Sequence, residues 1–256
     1  MERITSRSNP LCLHIRKLNS SGAYRREKGE FVGEGPKLLE EALRAGAEIT
    51  AVVSREGVQV ECPPHIRRIE VPGTLLESLC DTKTPQGVLF LCRLPRTPLP
   101  ERLEGSRYLV LDGVQDPGNV GTVWRTADAF GVDGLILAEG CADPFAPKTV
   151  RATMGAVFRL PVYLTSIDAL QKACKEADLP LYATALQKNT VGLAEVDLRR
   201  CVAVIGSEGR GVSPEMLALC EKTLKIPMRE RCESLNAAVA AAVVLWEGWR
   251  QSGRVF

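Results

Sequence analysis

Three polar or glycine-rich segments in the second half of the chain contain residue types that could bind a nucleotide-like ligand and orient a polar substrate. They are 116–128, with Asn119, Gly121 and Arg125; Gly206-Ser207-Glu208-Gly209-Arg210-Gly211; and Ile226-Pro227-Met228, followed by Ser234-Leu235-Asn236. Glycine-rich loops between a strand and a helix bind anions and nucleotides through backbone N–H groups. Amide and guanidinium groups could fix a hydroxyl or a phosphate beside such a ligand.

Each segment alone has a plainer interpretation. Asn119 could simply cap a helix, Arg125 could be a surface charge, and the glycines could form a tight turn. The glycine-rich segment is not a Walker A loop, because no Gly-Lys-Ser/Thr follows it, and its glycines do not fit Gly-x-Gly-x-x-Gly. A nicotinamide-dependent dehydrogenase is therefore disfavoured, and a thermal shift with NAD would test that alternative.

The elements around these segments indicate an α/β fold. Apolar strands are predicted at 108–111, 135–137, 181–183 and 201–205, and helices at 120–130, 167–177 and about 235–251. Asn119, Ser213 and Ser234 are the predicted helix caps. Continuous apolar strands that alternate with helices predict a parallel sheet covered on both faces. Since ligands bind at the carboxyl ends of such strands, we expect the three segments to meet there.

The chain of 256 residues is predicted to contain two domains. Three prolines between Pro95 and Pro100, followed by Gly105, predict a linker over residues 96–105. Before it, residues 1–95 contain a proline-started helix at 36–46 and apolar strands at 49–53 and 88–91, which indicate a small α/β domain. After it, residues 106–256 form the second domain.

Composition excludes several classes of protein. The nine cysteines form no Cys-x-x-Cys pair, and the two histidines do not pair with them at finger spacing, so we expect buried, reduced thiols and no metal site. No apolar run approaches the roughly 18 residues of a membrane span, and no leader is visible; we expect a cytoplasmic protein.

The first 28 residues carry seven basic side chains against two acidic ones. This excess predicts a phosphate-facing surface, although a solvated helix face would give the same pattern. The candidate RNA-contacting residues are Arg7, Arg16, Lys17, Arg25 and Arg26.

Taken together, the order and spacing of the three segments resemble the signature motifs of the SpoU (TrmH-type) RNA ribose methyltransferases, part of the SPOUT superfamily. The resemblance covers about 106–252 and includes Lys148–Ala156. Three stretches of the first region, 4–10, 34–35 and 84–87, are similar to the small ribosomal-protein-like substrate-binding domain that often precedes the catalytic domain.

The resemblance implies a deep trefoil knot in the second domain, S-adenosylmethionine as methyl donor without a metal, and a homodimer formed through the knot domain with the last helix near the interface. It implies that the donor is bound by Thr184, Gly206, Ser207, Gly211, Ile226, Met228, Ser234 and Leu235. The residues implied on the reaction side are Asn119, Arg125, Glu208, Ser234 and Asn236. Many relatives have a glycine soon after Ile-Pro-Met, whereas this chain has Arg229-Glu230-Arg231.

The implied reaction is in-line methyl transfer to a ribose 2′-hydroxyl of RNA, with ribosomal RNA favoured and transfer RNA second. The family assigns the proton acceptor to the motif arginine, here Arg125. Because a guanidinium resists deprotonation in proteins, we expect Arg125 first to bind a phosphate bidentately and orient the ribose. The proton acceptor stays open between a phosphate oxygen, water and a transiently neutral Arg125. The remaining alternative is a non-catalytic, RNA-binding ribosome assembly factor of the same fold.

Overall fold

The computed structural model describes residues 2–187, 190–229 and 234–253. The chain forms two compact units, which are described separately. The first unit comprises Met1–Arg96 and Asp143–Phe158, and the second comprises Thr97–Ala142 and Arg159–Phe256.

The strands and helices of the described residues follow in chain order. The strands are β1 (Glu2–Arg3), β2 (Glu30–Glu34), β3 (Ile49–Arg55), β4 (Arg67–Val71), β5 (Val88–Arg93), β6 (Arg107–Asp112), β7 (Gly134–Leu137), β8 (Val162–Leu164), β9 (Leu181–Thr184), β10 (Thr190–Gly192), β11 (Cys201–Gly206) and β12 (Lys222–Lys225). The α-helices are α1 (Pro10–Ser20), α2 (Gly22–Lys28), α3 (Pro36–Arg44), α4 (Gly73–Glu77), α5 (Pro117–Ala129), α6 (Pro147–Ala152), α7 (Ile167–Ala177), α8 (Pro214–Leu219) and α9 (Ala237–Gln251).

The first unit is built on a five-stranded mixed sheet in the order β1-β4-β3-β5-β2. Helix α1 starts where the side chain of Asn9 accepts a hydrogen bond from the backbone of Leu11. Its buried residues Cys12, Ile15 and Leu18 are spaced three apart, so they share the face that packs on the sheet.

The second unit contains a seven-stranded sheet in the order β10-β12-β9-β11-β6-β7-β8, and every strand pair in it is parallel. Tyr108 and Val110 of β6 pack in one cluster with α7 and α8. Leu109 and Leu111 are fully buried on the opposite face of the same strand. The predicted parallel sheet, buried on both faces, is confirmed.

Local elements agree with the sequence to different degrees. Helix α7 has the predicted bounds, and α8 begins as predicted, with Ser213 capping the helix and Pro214 at its first position. The sequence analysis did not identify β10 or β12. Strand β12 reads Lys-Thr-Leu-Lys and buries only Leu224, so it carries little apolar signal.

The eight described cysteines form no disulfide with one another; four of them are buried and the other four are partly buried. No described helix meets the length and hydropathy that a bilayer crossing requires. Within the described ranges, no three His, Cys, Asp or Glu side chains are grouped as metal ligands.

Candidate active site

The candidate site lies at the carboxyl edge of the parallel sheet in the second unit. Strands β6 and β11 are adjacent there and end together, with Asp112 opposite Gly206. The segment leading into α5 follows β6, the glycine-rich loop follows β11, and Ile226–Met228 follows β12. Parallel pairing therefore brings the three motif segments to one edge, as the sequence predicts.

Three motif side chains form a hydrogen-bonded cluster. The Nδ2 of Asn119 donates to Oε1 of Glu208. The Nδ2 of Asn236 donates to the same oxygen at 3.1 Å and to Oδ1 of Asn119 at 3.2 Å. The backbone N–H of Ala237 also donates to Glu208 Oε1, at 3.4 Å. One carboxylate thus holds residues that are 89 and 28 positions away in sequence.

Two predicted helix caps are wrong, and both corrections concern this cluster. Asp116, not Asn119, caps α5, and its Oδ1 accepts the backbone N–H of Asn119 at 2.9 Å. Asn236, not Ser234, caps α9, where its Oδ1 accepts from Ala238 at 2.9 Å and Val239 at 3.3 Å. Asn119 is therefore inside α5, and Asn236 immediately precedes α9. The amide of Asn236 has two tasks: its oxygen caps the helix and its nitrogen joins the cluster.

Arg125 lies on α5, six residues after Asn119, and is exposed. Within the described ranges it has no hydrogen bond or ion pair, and it is not among the residues that line either cavity described below. A helix turns by about 600° over six residues, which places Arg125 and Asn119 on different faces. The structure therefore does not bring Arg125 to the cluster.

A first cavity of about 390 Å³ lies beside the cluster. All eight residues that the sequence analysis assigned to the methyl donor line it: Thr184, Gly206, Ser207, Gly211, Ile226, Met228, Ser234 and Leu235. Glu208 contributes to the same lining. Glu230 and Arg231, two residues of the departure from the family pattern after Met228, lie outside the described residues.

One wall of the first cavity is formed by the loop Gly206–Gly211, whose two ends are held together by backbone hydrogen bonds. Ser207 and Gly211 exchange two backbone hydrogen bonds, of 3.1 and 2.9 Å. A Cβ on Gly206 would lie 2.1 Å from the backbone carbon of Gly211, and Gly211 itself has a φ of +71°. Both glycines are therefore required by the backbone path, one by close approach and the other by a left-handed conformation.

A second cavity of about 480 Å³ is also lined by residues of this loop. Glu208 and Arg210 line both cavities. The ionisable residues that line the second cavity are Asp112, Asp116, Glu139, Glu208, Arg210 and Glu215. The sequence analysis did not predict this cavity, because its carboxylates come from four separate segments and form no motif.

Asp112 connects the sheet to the loop region. It is buried, and its Oδ2 accepts the backbone N–H of Ser213 at 2.6 Å. This bond ties the end of β6 to the residue that caps α8, and both residues line the second cavity. The sequence indicated that Asp112 ends an apolar strand, but it did not indicate that the backbone N–H of Ser213 is its hydrogen-bond partner.

Two thiols near this edge do not offer a nucleophile. Burial raises the pKa of Cys141 to about 11 and that of Cys220 to about 12. Both thiols therefore stay protonated near neutral pH.

The candidate RNA-contacting residues lie in the first unit and differ in exposure. Arg7, Lys17 and Arg26 are exposed. Arg16 is partly buried and donates to the backbone oxygen of Arg7 at 2.9 Å. Arg25 is buried and forms an ion pair with Asp143 at 2.6 Å, so its guanidinium is occupied inside the unit.

Comparison with known proteins agrees with this geometry. Residues 106–246 match the model of the SpoU rRNA Methylase family, and residues 9–89 match the MRM3-like substrate binding domain. A relative from Bacillus subtilis, 23S rRNA (guanosine(2553)-2'-O)-methyltransferase RlmP, is 32% identical over 96% of this chain and 98% of its own.

Two solved structures with bound AdoMet are similar over nearly the whole chain. An rRNA methyltransferase from Sinorhizobium meliloti has a TM-score of 0.86 and 31% identity and covers 97% of both chains. The SpoU methyltransferase AviRb from Streptomyces viridochromogenes has a TM-score of 0.86 and 26% identity, covering 95% of this chain and 98% of its own. The chain belongs to the SpoU rRNA methylase family and is an RNA methyltransferase.

Proposed function

We propose that this protein transfers a methyl group from S-adenosylmethionine to a ribose 2′-hydroxyl of ribosomal RNA. The observation that carries the proposal is the convergence of three distant segments on the first cavity, with the cluster of Asn119, Glu208 and Asn236 beside it. The Bacillus relative, named as a 23S rRNA 2'-O-methyltransferase, and the AdoMet-bound neighbours support the same substrate and donor.

The first cavity fits the methyl donor in size and chemistry. Its volume of about 390 Å³ lies within the range of small-molecule sites. Backbone groups and apolar surface for the methyl donor are offered by Gly206, Ile226 and Leu235. The other residues assigned to methyl-donor binding that line the cavity are Thr184, Ser207, Gly211, Met228 and Ser234. When bound there, S-adenosylmethionine supplies a methyl group already activated by a sulfonium.

The cluster positions the ribose beside that cavity. Glu208 accepts hydrogen bonds from both asparagine side chains and from the backbone of Ala237. Because these three donors all meet at Oε1 of Glu208, we assign this carboxylate to holding the two amides rather than to removing a proton. Fixed amides can orient a hydroxyl for in-line attack with little further loss of entropy.

In this proposal, Arg125 binds the phosphate backbone of the RNA. Its exposed guanidinium presents several N–H donors that fit a phosphate bidentately. A guanidinium stays protonated in proteins, so the 2′-hydroxyl proton would pass to a phosphate oxygen or to water while the methyl carbon leaves the sulfonium sulfur, which becomes a neutral thioether, and bonds to the 2′-oxygen. Arg125 then stabilises the phosphate that orients the ribose.

The wider organisation is part of the same proposal. Residues 1–95 bind RNA, with exposed Arg7, Lys17 and Arg26 facing phosphates, residues 96–105 are a linker, and residues 106–256 are the catalytic domain. The match of 9–89 to a substrate-binding model supports this division. RNA specificity of such domains usually comes from loops and bulges rather than regular helices.

We also propose a trefoil knot in the catalytic domain, a homodimer formed through it, and a cytoplasmic location. Helix α9 supports the dimer, because Val239 and Trp246 are about half exposed, and Trp246 stacks on Trp249 at 5.3 Å. Exposed apolar surface of this kind is typical of an interface. Similarity to SPOUT-type neighbours supports the knot, and the bacterial rRNA methyltransferases among the relatives support the location.

Mass mapping of ribose methylation tests the reaction and its substrate. The full chain and labelled S-adenosylmethionine are incubated with total RNA from cells that lack the gene, with Arg125→Ala as the inactive comparison. We expect one ribose of ribosomal RNA to gain a methyl group. Methylation of transfer RNA alone would refute the substrate, a methylated base would refute the reaction, and donor binding without transfer to any RNA would favour an assembly factor.

A further inference from the structure

The loop Gly206–Gly211 places an arginine, Arg210, in the lining of the first cavity. Its backbone N–H donates to Oγ of Ser207 at 3.3 Å, and the next residue, Gly211, is bonded to the backbone of Ser207, so the chain at Arg210 is held in place. The side chain is exposed, and its guanidinium has no hydrogen bond or ion pair with any residue in the described ranges. Its donors are therefore available to a ligand of the cavity.

The charges of the first cavity complement those of the methyl donor. Among the described residues that line it, the charged ones are Glu208, Arg210 and Lys225. S-adenosylmethionine carries two cationic groups, the sulfonium and the amino group, and one carboxylate. Because a carboxylate that leaves water requires compensating donors, Arg210 and Lys225 are the two cations to which this carboxylate can be assigned.

Arg210 and Lys225 lie at strands that are not neighbours. Lys225 ends β12, whereas Arg210 follows β11, and β9 lies between these two strands in the sheet. Since neighbouring strands are spaced by about 4.8 Å, the ends of β11 and β12 are about 10 Å apart. The two cations therefore suit different parts of a bound donor.

The reacting part of the donor belongs on the Arg210 side. In-line transfer requires the methyl group to face the ribose at the cluster of Asn119, Glu208 and Asn236. The sulfonium then lies near Glu208, and only a short alkyl chain joins the sulfonium to the carboxylate. Arg210, two positions after Glu208 in the same loop, is therefore the cation closer to that carboxylate.

An RNA phosphate is the other anion that an exposed arginine could bind here. In the lining of the second cavity, however, Arg210 is accompanied by five carboxylates, which repel a phosphate. They are Asp112, Asp116, Glu139, Glu208 and Glu215. In the described lining of the first cavity, Glu208 is the single carboxylate. This distribution of charge favours an anion in the first cavity.

We propose that Arg210 binds the carboxylate of the methionine part of S-adenosylmethionine as a bidentate ion pair; the inference rests on the proposed function above. It adds to the donor site a residue that the sequence resemblance did not include. The planar guanidinium matches a carboxylate in both charge and geometry. Arg210 thereby distinguishes the intact donor from an analogue that lacks this carboxylate.

Calorimetric titrations of the full chain with S-adenosylmethionine and with decarboxylated S-adenosylmethionine test the assignment. The second compound keeps the sulfonium, the methyl group and the amino group, and it lacks only the carboxylate. We expect the parent chain to bind the intact donor about tenfold more tightly, the scale of a hydrogen-bonded interaction with a charged group.

Two variants then identify the residue. In Arg210→Gln, the ratio of the two dissociation constants should approach one, because binding of the intact donor alone is weakened. Lys225→Gln is the matched control: it removes the other cation of the described lining and should keep the ratio of the parent. Each ratio compares two ligands on one protein sample, so a fraction of unfolded variant does not alter it.

The outcomes separate this inference from the proposed function. Equal dissociation constants in the parent, or a ratio that Arg210→Gln preserves, overturn the role of Arg210 and leave the proposed reaction standing. A preserved ratio with weaker binding of ribosomal RNA would assign Arg210 to a phosphate instead. A parent chain that binds neither compound overturns the donor site and this inference together. Donor binding with the expected ratio, but without methyl transfer to any RNA, overturns the proposed function alone.

Discussion

The two units use their charged and polar side chains in different ways. In the first unit, these groups largely hold the unit together: Arg25 is paired with Asp143, and His14 connects the hydroxyl of Tyr24 to Glu30, with 2.9 Å on each side. In the second unit, Asn119, Glu208 and Asn236 bond to one another at the edge of a sheet, next to two cavities.

The difference shows which sequence patterns locate a site. In the second unit, parallel strands force successive loops to one edge, so the order of motifs along the chain is enough to predict that they meet. In the first unit, a run of basic residues lies on two helices, and adjacent positions differ by about 100° around a helix axis. Arg25 is buried and its neighbour Arg26 is exposed, although their contributions to local charge are the same.

The largest expected effect is that of substituting Arg125, the exposed arginine on α5. Arg125→Ala and Arg125→Lys should each lower the single-turnover rate of methyl transfer by about 100-fold or more, the scale of a lost catalytic group. The dissociation constant for S-adenosylmethionine, measured by calorimetry, should not change, because Arg125 does not line the first cavity.

Arg102→Ala provides a control, since Arg102 is an exposed arginine of the same unit outside both cavities. Near-normal turnover of Arg125→Lys would contradict a bidentate grip on phosphate, because an ammonium cannot reproduce it.

The next prediction separates structural from surface arginines in the first unit. Arg25→Met leaves Asp143 without its buried partner and should lower the free energy of unfolding by about 3 kcal/mol. Arg26→Met should leave stability unchanged and weaken RNA binding, with a salt dependence reduced by about one charge. Urea unfolding and RNA titrations at several salt concentrations measure the two effects. Equal free energies of unfolding for Arg25→Met and Arg26→Met would contradict a structural role for Arg25 in the first unit.

Much of the second unit could be predicted because its signals are long and periodic. The buried strands and α7 carry continuous apolar or helical patterns, and the eight donor residues line one cavity as expected. The caps of α5 and α9 were mispredicted because capping residues compete over short distances. Asp116 precedes Pro117, whose missing N–H suits the first helical position, so the helix starts before Asn119.

Other features depend on contacts that no local pattern contains. The second cavity combines carboxylates from segments after β6, β7 and β11 and from α8. The burial of Arg25 depends on Asp143, which is 118 residues away. Both are set by tertiary packing, which a single sequence read locally does not specify.

A smaller effect, on the affinity for the methyl donor, is expected when a glycine of the loop Gly206–Gly211 is substituted. Gly206→Ala would place a Cβ 2.1 Å from the backbone of Gly211, so the loop must move, at a cost of about 1–3 kcal/mol. We expect the affinity for S-adenosylmethionine to fall about tenfold. Gly209→Ala is the matched control, because nothing lies within 4 Å of its added Cβ and its φ is not left-handed. Equal donor affinities for the two variants would mean that the closed loop does not shape the donor site.

The smallest effect, and the most discriminating one, concerns the double role of Asn236. Its oxygen caps α9, and its nitrogen donates to Glu208 and Asn119. Asn236→Ala removes both roles and should lower the free energy of unfolding by about 1 kcal/mol, the usual value of a cap. Asn236→Ser keeps an acceptor suited to the cap but is too short to replace the amide nitrogen. The serine variant should therefore melt close to the parent temperature, whereas the alanine variant should melt a few degrees lower, about the shift that 1 kcal/mol produces in a chain of this size.

Methyl transfer distinguishes the two roles of Asn236, because the cluster acts on the ribose and the cap acts on the helix. If the cluster positions the substrate, both variants should lose about tenfold in kcat/KM, since each leaves one donor to Glu208 unreplaced. Activity that recovers in the serine variant together with stability would show that Asn236 contributes only through the start of α9. Loss of activity at parental stability would instead identify the polar edge of the second unit as a substrate-positioning site, in contrast to the structural network of His14 and Glu30 in the first.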